Sequence, residues 1–339
     1  MDTVRIAQVG IGYWGRNLIR NFAAVPGVAV IQACDQRAPV LKQVSEQFPQ
    51  IKTTERYEDV LENPEVDAVV VATETPLHFE MARTALEAGK HVFVEKPMAQ
   101  SVAEAEALVR IAEERNLRLM VGHLLLYHPA FRYIEDLIQA GELGEVYYLY
   151  SMRVNLGIVR QKENALESLA PHDLSVALAF LSGSPVSVSA QGHAYLQPGV
   201  EDVVFGTVYF DGGQLAHVHT SWLDPHKVRK VTVVGSRKMA VIDDVEGVEK
   251  VRLYDKGVDI APGEKRYVDY AEAMTIRSGD IHIPKIDMRE PLRLECQHFV
   301  ESVRNGTRPR SDGQNGLMVV RILEAAQQSL RQDGSTVAV

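Results

Sequence analysis

Six residues near the N-terminus have the composition and spacing of a phosphate-binding loop. They read Gly10, Ile11, Gly12, Tyr13, Trp14 and Gly15, directly after the apolar run Val4–Val9. In such a loop the first glycine permits the turn, the second lets a pyrophosphate approach the backbone, and the third lets helix and strand pack closely. The helix N-terminus then offers free N–H groups to the phosphates. The loop therefore predicts a dinucleotide site, although a purely structural turn uses the same glycines.

A carboxylate follows the second predicted strand at the distance expected for ribose recognition. Asp35 comes directly after Val28–Cys34, twenty residues beyond Gly15. A carboxylate there accepts hydrogen bonds from the adenosine ribose hydroxyls and repels a 2′-phosphate. The sequence therefore favours NAD over NADP as the cofactor. Arg37 argues the other way, since a guanidinium attracts that phosphate.

A lysine lies just beyond the end of another predicted strand. His91–Val94 is followed by Glu95, Lys96 and Pro97. Ligands of open parallel sheets bind beyond the carboxyl ends of the strands, where Lys96 can donate a hydrogen bond to a substrate hydroxyl and favour loss of its proton. The alternative is a solvated surface lysine, and the spacing alone does not decide between the two.

The composition indicates a two-domain protein without nucleic-acid or membrane partners. The chain has 339 residues, 46% of them hydrophobic, which is more than one domain with a single core usually contains. Its net charge of −9 disfavours nucleic-acid binding. Its apolar runs are of strand length, too short to span a bilayer. The two cysteines, Cys34 and Cys296, indicate neither a disulfide framework nor a metal site. With no signal peptide recognised, we expect a reducing, cytoplasmic location.

The elements that position these residues fall into two groups. The first third alternates apolar strands with helices, which predicts a parallel sheet covered on both faces. Its predicted strands are Val4–Val9, Val28–Cys34, Ala68–Thr73, His91–Val94 and Leu117–Val121. Its predicted helices are Trp14–Ala24, Ala38–Phe48, Leu77–Ala88 and Val102–Arg115.

Beyond Gly122 the pattern changes to alternating strands, so we expect an α/β chain with domains at 1–122 and 123–339. The second domain is predicted to be a large, mostly antiparallel sheet with the helices His128–Ala140 and Pro171–Leu181, and with Leu292–Arg304 and Gly316–Leu330 at the end of the chain. Its predicted strands are Val146–Val154, Val186–Tyr195, Val203–Phe210, Gln214–Ser221, Lys230–Val234 and Met239–Asp243.

Several motifs together resemble the Gfo/Idh/MocA oxidoreductase family. They are the loop 10–15, Asp35, the stretch 72–78 (ATETPLH), Glu95-Lys96-Pro97, the stretch 141–144 (GELG) and the closing segment 290–330. The resemblance implies a Rossmann domain followed by an open-faced α/β domain. It also implies oxidation of a sugar or cyclitol hydroxyl by hydride transfer to a nicotinamide, and a homo-oligomer, dimer or tetramer, formed through the second sheet.

The same resemblance implies roles for individual residues. Lys96 takes the family's catalytic and substrate-binding lysine position. The expected NAD contacts are the loop Gly10–Gly15 together with Asp35, Arg37, Thr73, Thr75, His78, Glu95, Lys96 and His123.

Proton removal from the hydroxyl calls for a group such as histidine, whose pKa lies near neutrality. The family commonly has an acid/base histidine at the position of His172, in the segment 170–173 (APHD). The alternative is a histidine hydrogen-bonded within the core. Ser168 stands where many members carry an aspartate, and Asp173 need not orient His172, because adjacent helical residues point apart. Which of Lys96 and His172 accepts the proton stays open.

Four stretches resemble a nucleotide-sugar branch of the family, whose members oxidise the 3-hydroxyl of UDP-N-acetylhexosamines or their uronic acids. The stretches are 122–129, 153–160, 170–173 and 221–226. Arginines suit a diphosphate or carboxylate, and an asparagine suits a hydroxyl or acetamido group; the alternative is that both arginines pair with acidic neighbours. The expected substrate contacts are Lys96, Tyr127, Arg153, Asn155, Arg160, His172 and Asp173.

Other functions stay open as alternatives. A dehydrogenase or reductase of a free sugar or inositol would share the fold and mechanism, and an NADPH-dependent ketoreductase is disfavoured by Asp35. A non-catalytic dinucleotide-binding regulator is disfavoured by the presence of Lys96 and His172.

His217 and His219 share a strand face, but two ligands do not define a metal site, so no metal is expected. Trp14 and Trp222 are interpreted as packing residues, and residues 281–284 as a loop arm at a subunit contact.

Overall fold

A computed structural model describes residues 3–260 and 274–339. It divides into two compact units. The first contains the chain up to His128 together with Arg289–Glu324, and the second contains Pro129–Met288 with Ala325–Val339. The predicted second domain, 123–339, differs from this division because residues 289–324 fold with the first unit.

The first unit is built on a six-stranded parallel sheet in the order β3-β2-β1-β4-β5-β6, the strand order of a dinucleotide-binding Rossmann fold. The strands are β1 (Val4–Val9), β2 (Val28–Cys34), β3 (Lys52–Thr54), β4 (Ala68–Val71), β5 (His91–Val94) and β6 (Leu119–Val121). The helices are α1 (Tyr13–Ala23), α2 (Ala38–Gln47), α3 (Glu58–Leu61), α4 (His78–Glu87) and α5 (Val102–Glu114). Two later helices are α8 (Pro291–Asn305) and α9 (Gly313–Arg331), and the part of α9 from Ala325 onward belongs to the second unit. The predicted parallel sheet is confirmed, and β3 and α3 are additions.

Apolar side chains explain both the sheet and the position of α8. Strand β4 consists of alanine and valine and is buried throughout, as expected of a strand covered on both faces. Phe299 of α8 packs edge-on against Phe22 of α1 and Phe93 of β5, with ring centroids 6.1 and 5.7 Å away. This aromatic cluster explains why α8 folds with the first unit. The periodicity of the α8 sequence predicts that one face of the helix is buried, but it does not predict which sheet covers that face.

The second unit contains a nine-stranded sheet in the order β14-β13-β12-β11-β7-β10-β9-β8-β15. The neighbours β7 and β10 run parallel and the other neighbours antiparallel, which confirms the predicted mostly antiparallel sheet. The strands are β7 (Val146–Val154), β8 (Pro185–His193), β9 (Val203–Phe210), β10 (Leu215–Ser221), β11 (Val228–Gly235), β12 (Met239–Asp243), β13 (Val251–Ile260), β14 (Met274–His282) and β15 (Val337–Ala338). Two helices, α6 (Pro129–Gln139) and α7 (Ala165–Phe180), precede β7 and β8.

Helix α7 begins six residues before the predicted Pro171 start. The Asn164 side chain accepts a hydrogen bond from the Glu167 N–H (3.0 Å), and the Glu167 carboxylate accepts one from the Asn164 N–H (3.0 Å). This capping box fixes the helix start, so Pro171 lies inside the helix, where its missing N–H removes one helical hydrogen bond. The prediction was wrong because proline also favours a first helical turn.

Two strand predictions were also incomplete. Strands β13 and β14 were not predicted, and Ile281 and His282 end β14 rather than belonging to a loop arm. The two strands pair with each other at one edge of the sheet. Among the described residues, no helix has the length and apolarity needed to cross a membrane.

Candidate functional site

The glycine loop joins β1 to α1 in the conformation that a phosphate site requires. Gly10 has a φ of +81°, and a Cβ there would lie 2.6 Å from the Ala72 carbonyl oxygen, so only glycine fits. A Cβ on Gly12 would meet no atom within 4 Å. The backbone at Gly12 therefore borders open space, which lets a diphosphate approach closely.

Helix α1 begins without a side-chain cap. Its N-cap is Gly12, and its first turn, which starts at Tyr13, contains no acidic residue. The N–H groups of the first turn are thus left for another acceptor. Together with the open space beside Gly12, they fit the phosphates of a dinucleotide.

Asp35 follows β2 as a buried, hydrogen-bonded carboxylate. Its oxygens accept hydrogen bonds from the Ile11 N–H (2.8 Å) and from Arg37 Nε and Nη2 (2.8 Å each). Burial alone would raise the pKa of Asp35, but these bonds outweigh it and hold the pKa below its ordinary value. Asp35 is therefore an anion held against the glycine loop, and Arg37 is folded onto it.

Trp14 connects the glycine loop to the segment that carries Lys96. The indole Nε1 of Trp14 donates a hydrogen bond to Glu95 Oε1, and the Lys96 N–H donates one to Glu95 Oε2 (3.3 Å). Burial raises the pKa of Glu95 to about 7, although Lys96 and the Trp14 bond oppose the shift. The interpretation of Trp14 as a packing residue is therefore incomplete, because its ring has a specific polar partner.

Two further titratable groups are buried in the same unit. Both His123 ring nitrogens lack a hydrogen-bond partner among the described residues, and burial together with the Lys96 charge lowers the pKa of His123 to about 3. Glu295 of α8 is 1% exposed, and burial followed by the Glu95 charge raises its pKa well above the ordinary value. His123 is thus neutral at neutral pH, and burial disfavours the charged form of Glu295.

Sequence reasoning missed Glu295, although a signal for it exists. Leu292, Glu295, Cys296 and Phe299 are all buried and recur at helical spacing on α8. A glutamate within such an apolar stripe is exceptional, because carboxylates are almost never fully buried unless paired. That position alone marks Glu295 as a candidate for a special role.

Four further predicted residues follow strands of the first unit: Thr73, Thr75 and His78 lie beyond β4, and Tyr127 lies beyond β6. The His78 ring lies between the Pro97 and Thr73 carbonyl oxygens (2.8 and 3.2 Å) and is buried, so it supports the two segments that follow β4 and β5. Thr73 and Thr75 are half-buried in the segment preceding α4. Tyr127 is buried, and its hydroxyl lies 3.1 Å from Ser311 Oγ, so the structure makes Tyr127 a core residue rather than the predicted substrate contact.

In the second unit, Arg153 and Asp173 form a buried ion pair. Arg153 Nε and Nη2 donate to the two Asp173 oxygens at 2.6 and 3.1 Å, and the side chains are 6% and 1% exposed. The alternative weighed for Arg153, a pair with an acidic neighbour, is therefore what the structure shows. The pair occupies both Asp173 oxygens and one edge of the Arg153 guanidinium, and the predicted substrate contacts of the two residues stay predictions.

The other predicted residues of the second unit are more accessible. His172 is half-buried on α7, and Asn155 is half-buried at the end of β7. The Arg160 guanidinium is exposed and lies 3.7 Å from Glu163. Asn155 and Arg160 both belong to the segment between β7 and α7, which leads directly to His172.

His217 and His219 lie on the sheet face opposite α7. His217 Nδ1 lies 2.9 Å from Thr207 Oγ1, and His219 stacks on Phe205 at 4.3 Å. Within the described parts of the chain, no three His, Cys, Asp or Glu side chains are grouped as metal ligands.

Comparison with known proteins identifies the family. The oxidoreductase family model with an NAD-binding Rossmann fold, GFO_IDH_MocA, matches residues 4–123, and the GFO/IDH/MocA C-terminal domain model matches residues 131–241. Together they cover about two thirds of the chain, so the chain belongs to the Gfo/Idh/MocA oxidoreductase family. The predicted family, the oxidoreductase class and the NAD cofactor are thereby confirmed.

Several curated relatives match most of the chain, and two of them have a named substrate that bears on the function. The chain is 29% identical to scyllo-inositol 2-dehydrogenase (NAD(+)) of Bacillus subtilis, covering 90% of this chain and 88% of the relative. It is 28% identical to UDP-N-acetylglucosamine 3-dehydrogenase of Acidithiobacillus ferrooxidans, covering 97% and 96%. The solved structure of the latter enzyme, GnnA, superposes with a TM-score of 0.82 at 24% identity over 99% of this chain and 100% of that one. The structural match shows the shared fold.

Proposed function

We propose that the chain is an NAD-dependent dehydrogenase that oxidises the 3-hydroxyl of UDP-GlcNAc or its uronic acid to the 3-keto sugar. The observation that carries the proposal is the similarity to UDP-N-acetylglucosamine 3-dehydrogenase, which extends over 97% of this chain and 96% of that enzyme. The anionic Asp35 beside the glycine loop supports NAD, since it suits ribose hydroxyls and opposes a 2′-phosphate.

The cofactor is assigned to residues of the first unit. Its phosphates suit the N–H groups at Gly12 and the start of α1, and its adenosine ribose suits Asp35. Further residues assigned to the cofactor lie in the segments that follow β4 (Thr73, Thr75, His78), β5 (Glu95) and β6 (His123). When bound, NAD accepts the hydride that leaves the sugar carbon.

This chain's own residues then have to manage the hydroxyl proton. As C3 loses its hydrogen with both electrons, the hydroxyl loses a proton and the C=O bond forms. We assign Lys96 as hydrogen-bond donor to the sugar oxygen and His172 as proton acceptor, because an imidazole accepts a proton near neutral pH. Asn155 and Arg160 are assigned to the substrate, with Arg160 suited to an anionic group.

A second candidate is a dehydrogenase of a free cyclitol or sugar. It is favoured by the 29% identity with scyllo-inositol 2-dehydrogenase (NAD(+)). The cofactor site and the proposed roles of Lys96 and His172 would be the same, so only the substrate separates the two candidates.

The outer face of the second sheet supports a homo-oligomer. On the face that points away from α7, β7 carries Tyr148, Tyr150 and Met152, and β9 carries Phe205 and Tyr209; each of the five is at least 38% exposed. Strand β10 lies between these two strands, with Leu215 between Tyr148 and Tyr209 and with His219 between Met152 and Phe205. Exposed apolar surface of this kind marks an interaction site. We assign this outer face (residues 148, 150, 152, 205 and 209) to contact with a second copy of the chain.

The substrate assignment is tested by NADH formation. UDP-GlcNAc, its uronic acid, free glucose, myo-inositol and scyllo-inositol are each incubated with NAD and with NADP, and a carbonyl-trapping reagent displaces an unfavourable equilibrium. Turnover with a UDP-amino sugar and NAD is the expected result. Turnover with the inositols alone would replace the proposal with the second candidate.

A further inference from the structure

Arg229 of β11 lies directly opposite Arg153 of β7 in the second sheet. The two residues are partners in the antiparallel register, so their side chains project from the same face of the sheet. This is the face covered by α7, since Arg153 is bound there by Asp173. The two arginines therefore lie side by side on the sheet face covered by α7, beside the part of α7 that carries His172 and Asp173.

The two guanidinium groups differ in their partners. Arg153 uses one edge of its guanidinium, Nε and Nη2, to bind both oxygens of Asp173 (2.6 and 3.1 Å). The Arg229 guanidinium is half-buried and forms neither a hydrogen bond nor an ion pair with any described residue. Asp244 interacts with both cations electrostatically, but it forms no ion pair with Arg229. No Arg229 nitrogen is among the described side-chain atoms that are buried without a partner, so the N–H groups still reach solvent and are accessible to a ligand.

Electrostatics around Arg229 agree with this geometry. Burial, followed by the Arg153 charge, lowers the pKa of Arg229 from its ordinary value, while Asp244 and Asp173 only partly compensate. An anion placed beside Arg229 would relieve both effects, and it would find a planar group that binds phosphate or carboxylate through two parallel hydrogen bonds.

We propose that Arg229 forms an anion subsite of the second unit, which holds a phosphate or carboxylate group of the substrate. The inference rests on the proposed function, since the substrate is taken to be a charged sugar derivative. It replaces Arg153, which the sequence favoured, with the arginine opposite it. Arg153 and Asp173 then become positioning residues that pack beside Arg229 without contacting the substrate.

The subsite is tested by calorimetric binding of UDP, GlcNAc-1-phosphate, free N-acetylglucosaminuronate and NAD, without turnover. Arg229→Gln is expected to weaken binding of the anion it holds by about 10- to 100-fold, the worth of a charge-assisted bond, and to leave NAD binding unchanged. Weaker binding of UDP and the sugar phosphate identifies a phosphate, whereas weaker binding of the uronate alone identifies the sugar carboxylate.

Lys238→Gln is the matched control, because it also removes one cation from the β11–β12 region but breaks only an exposed ion pair with Glu142 (2.8 Å). It should bind every ligand as the wild type does. If Arg229→Gln does not fold, Arg229→Lys serves instead, with several-fold weaker anion binding expected from loss of the two-point contact. Unchanged binding of all three anions in the folded arginine variant overturns the subsite, as does failure of the wild type to bind any of them. If anion binding depends on Arg229 but no UDP-amino sugar is turned over, the anion subsite stands and only the proposed function is refuted.

Discussion

Trp14 of the glycine loop donates an indole hydrogen bond to Glu95, the residue before Lys96. The bond links two segments that are 81 residues apart in sequence and that both follow strands of the parallel sheet. Glu295 acts on Glu95 from α8 as a second buried acid. The segment that carries Lys96 is therefore linked to the glycine loop through the Glu95 carboxyl group, whose protonation changes near neutral pH.

The Trp14 indole signal should report that protonation. The pKa of Glu95 is raised to about 7 by burial, so the ¹⁵N-indole resonance of Trp14 should titrate with a midpoint near 7. Glu95→Gln should abolish the titration. Glu295→Gln should preserve it, since it leaves the Glu95 carboxyl group and its bond to Trp14 in place. A Trp14 signal that does not move between about pH 5 and 9 would contradict the account.

The same carboxyl group should make stability depend on pH. Because the folded pKa of Glu95 lies above the ordinary value of 4.5 for a glutamate, the folded state binds this proton more tightly than the unfolded chain does. The resulting stabilisation is fully present below about pH 4.5 and is lost as the pH rises through about 7. Urea unfolding midpoints should therefore fall less between these pH values in Glu95→Gln than in the wild type. Glu46→Gln, an exposed side chain on α2, is the control.

Lys96→Met should lower kcat by about 10²- to 10⁴-fold, the usual worth of a group that assists proton transfer. NAD binding, measured by calorimetry, should change much less than kcat, because Lys96 is only one of the expected NAD contacts and the phosphate and ribose positions lie at Gly12 and Asp35. Lys42→Met removes an exposed lysine of α2 and should retain wild-type kinetics. A Lys96 variant with wild-type kcat would remove Lys96 from the mechanism.

His172→Gln should lower kcat by a similar factor, about 10²- to 10⁴-fold, if the imidazole accepts the proton. The acidic limb of the wild-type kcat profile, where the imidazole becomes protonated, should also disappear. His226→Gln, an exposed histidine beyond β10, is the control. Retention of the acidic limb in the His172 variant would assign proton acceptance to another group.

Cofactor preference should depend on the Asp35–Arg37 pair. Asp35→Ser removes the carboxylate to which Arg37 donates two side-chain hydrogen bonds and frees the guanidinium for a 2′-phosphate. KM for NAD should rise by about tenfold, the equivalent of one lost charge-assisted bond, while KM for NADP should fall. The double variant Asp35→Ser/Arg37→Ala should lose the gain for NADP. An unchanged NAD/NADP ratio would refute this role of Asp35.

Tyr150→Lys should dissociate the proposed oligomer, because it places a charge in the middle of the outer face. Light scattering coupled to gel filtration would show a smaller species. Tyr195→Lys is the control, since Tyr195 is 69% exposed beyond the end of β8. The same mass for both variants and the wild type would rule out the outer face as the interface.

Local sequence patterns predict the strands that surround the cofactor site. The run Val4–Val9, the glycines after it and Asp35 after Val28–Cys34 lie where predicted, because each depends on short-range periodicity and turn chemistry. The start of α7 was mispredicted because the Asn164 capping box competes with Pro171 as a start signal.

Partners distant in sequence could not be predicted from such patterns. Arg153 was expected to bind a ligand, but Asp173 takes up its guanidinium, and Arg229 opposite it carries no comparable sequence signal. The burial of Glu295 and its proximity to Glu95 depend on α8 folding onto the first sheet, a contact across 200 residues of sequence that periodicity does not encode.

The most direct test of the central claim follows the hydride itself. UDP-GlcNAc carrying deuterium at C3 is incubated with NAD and the enzyme, and the reduced cofactor is examined by mass spectrometry. The deuterium should appear in the NADH, and a 3-keto sugar should accumulate. Unlabelled NADH from this substrate, or no reduction at all while an inositol is oxidised, would contradict the proposed function.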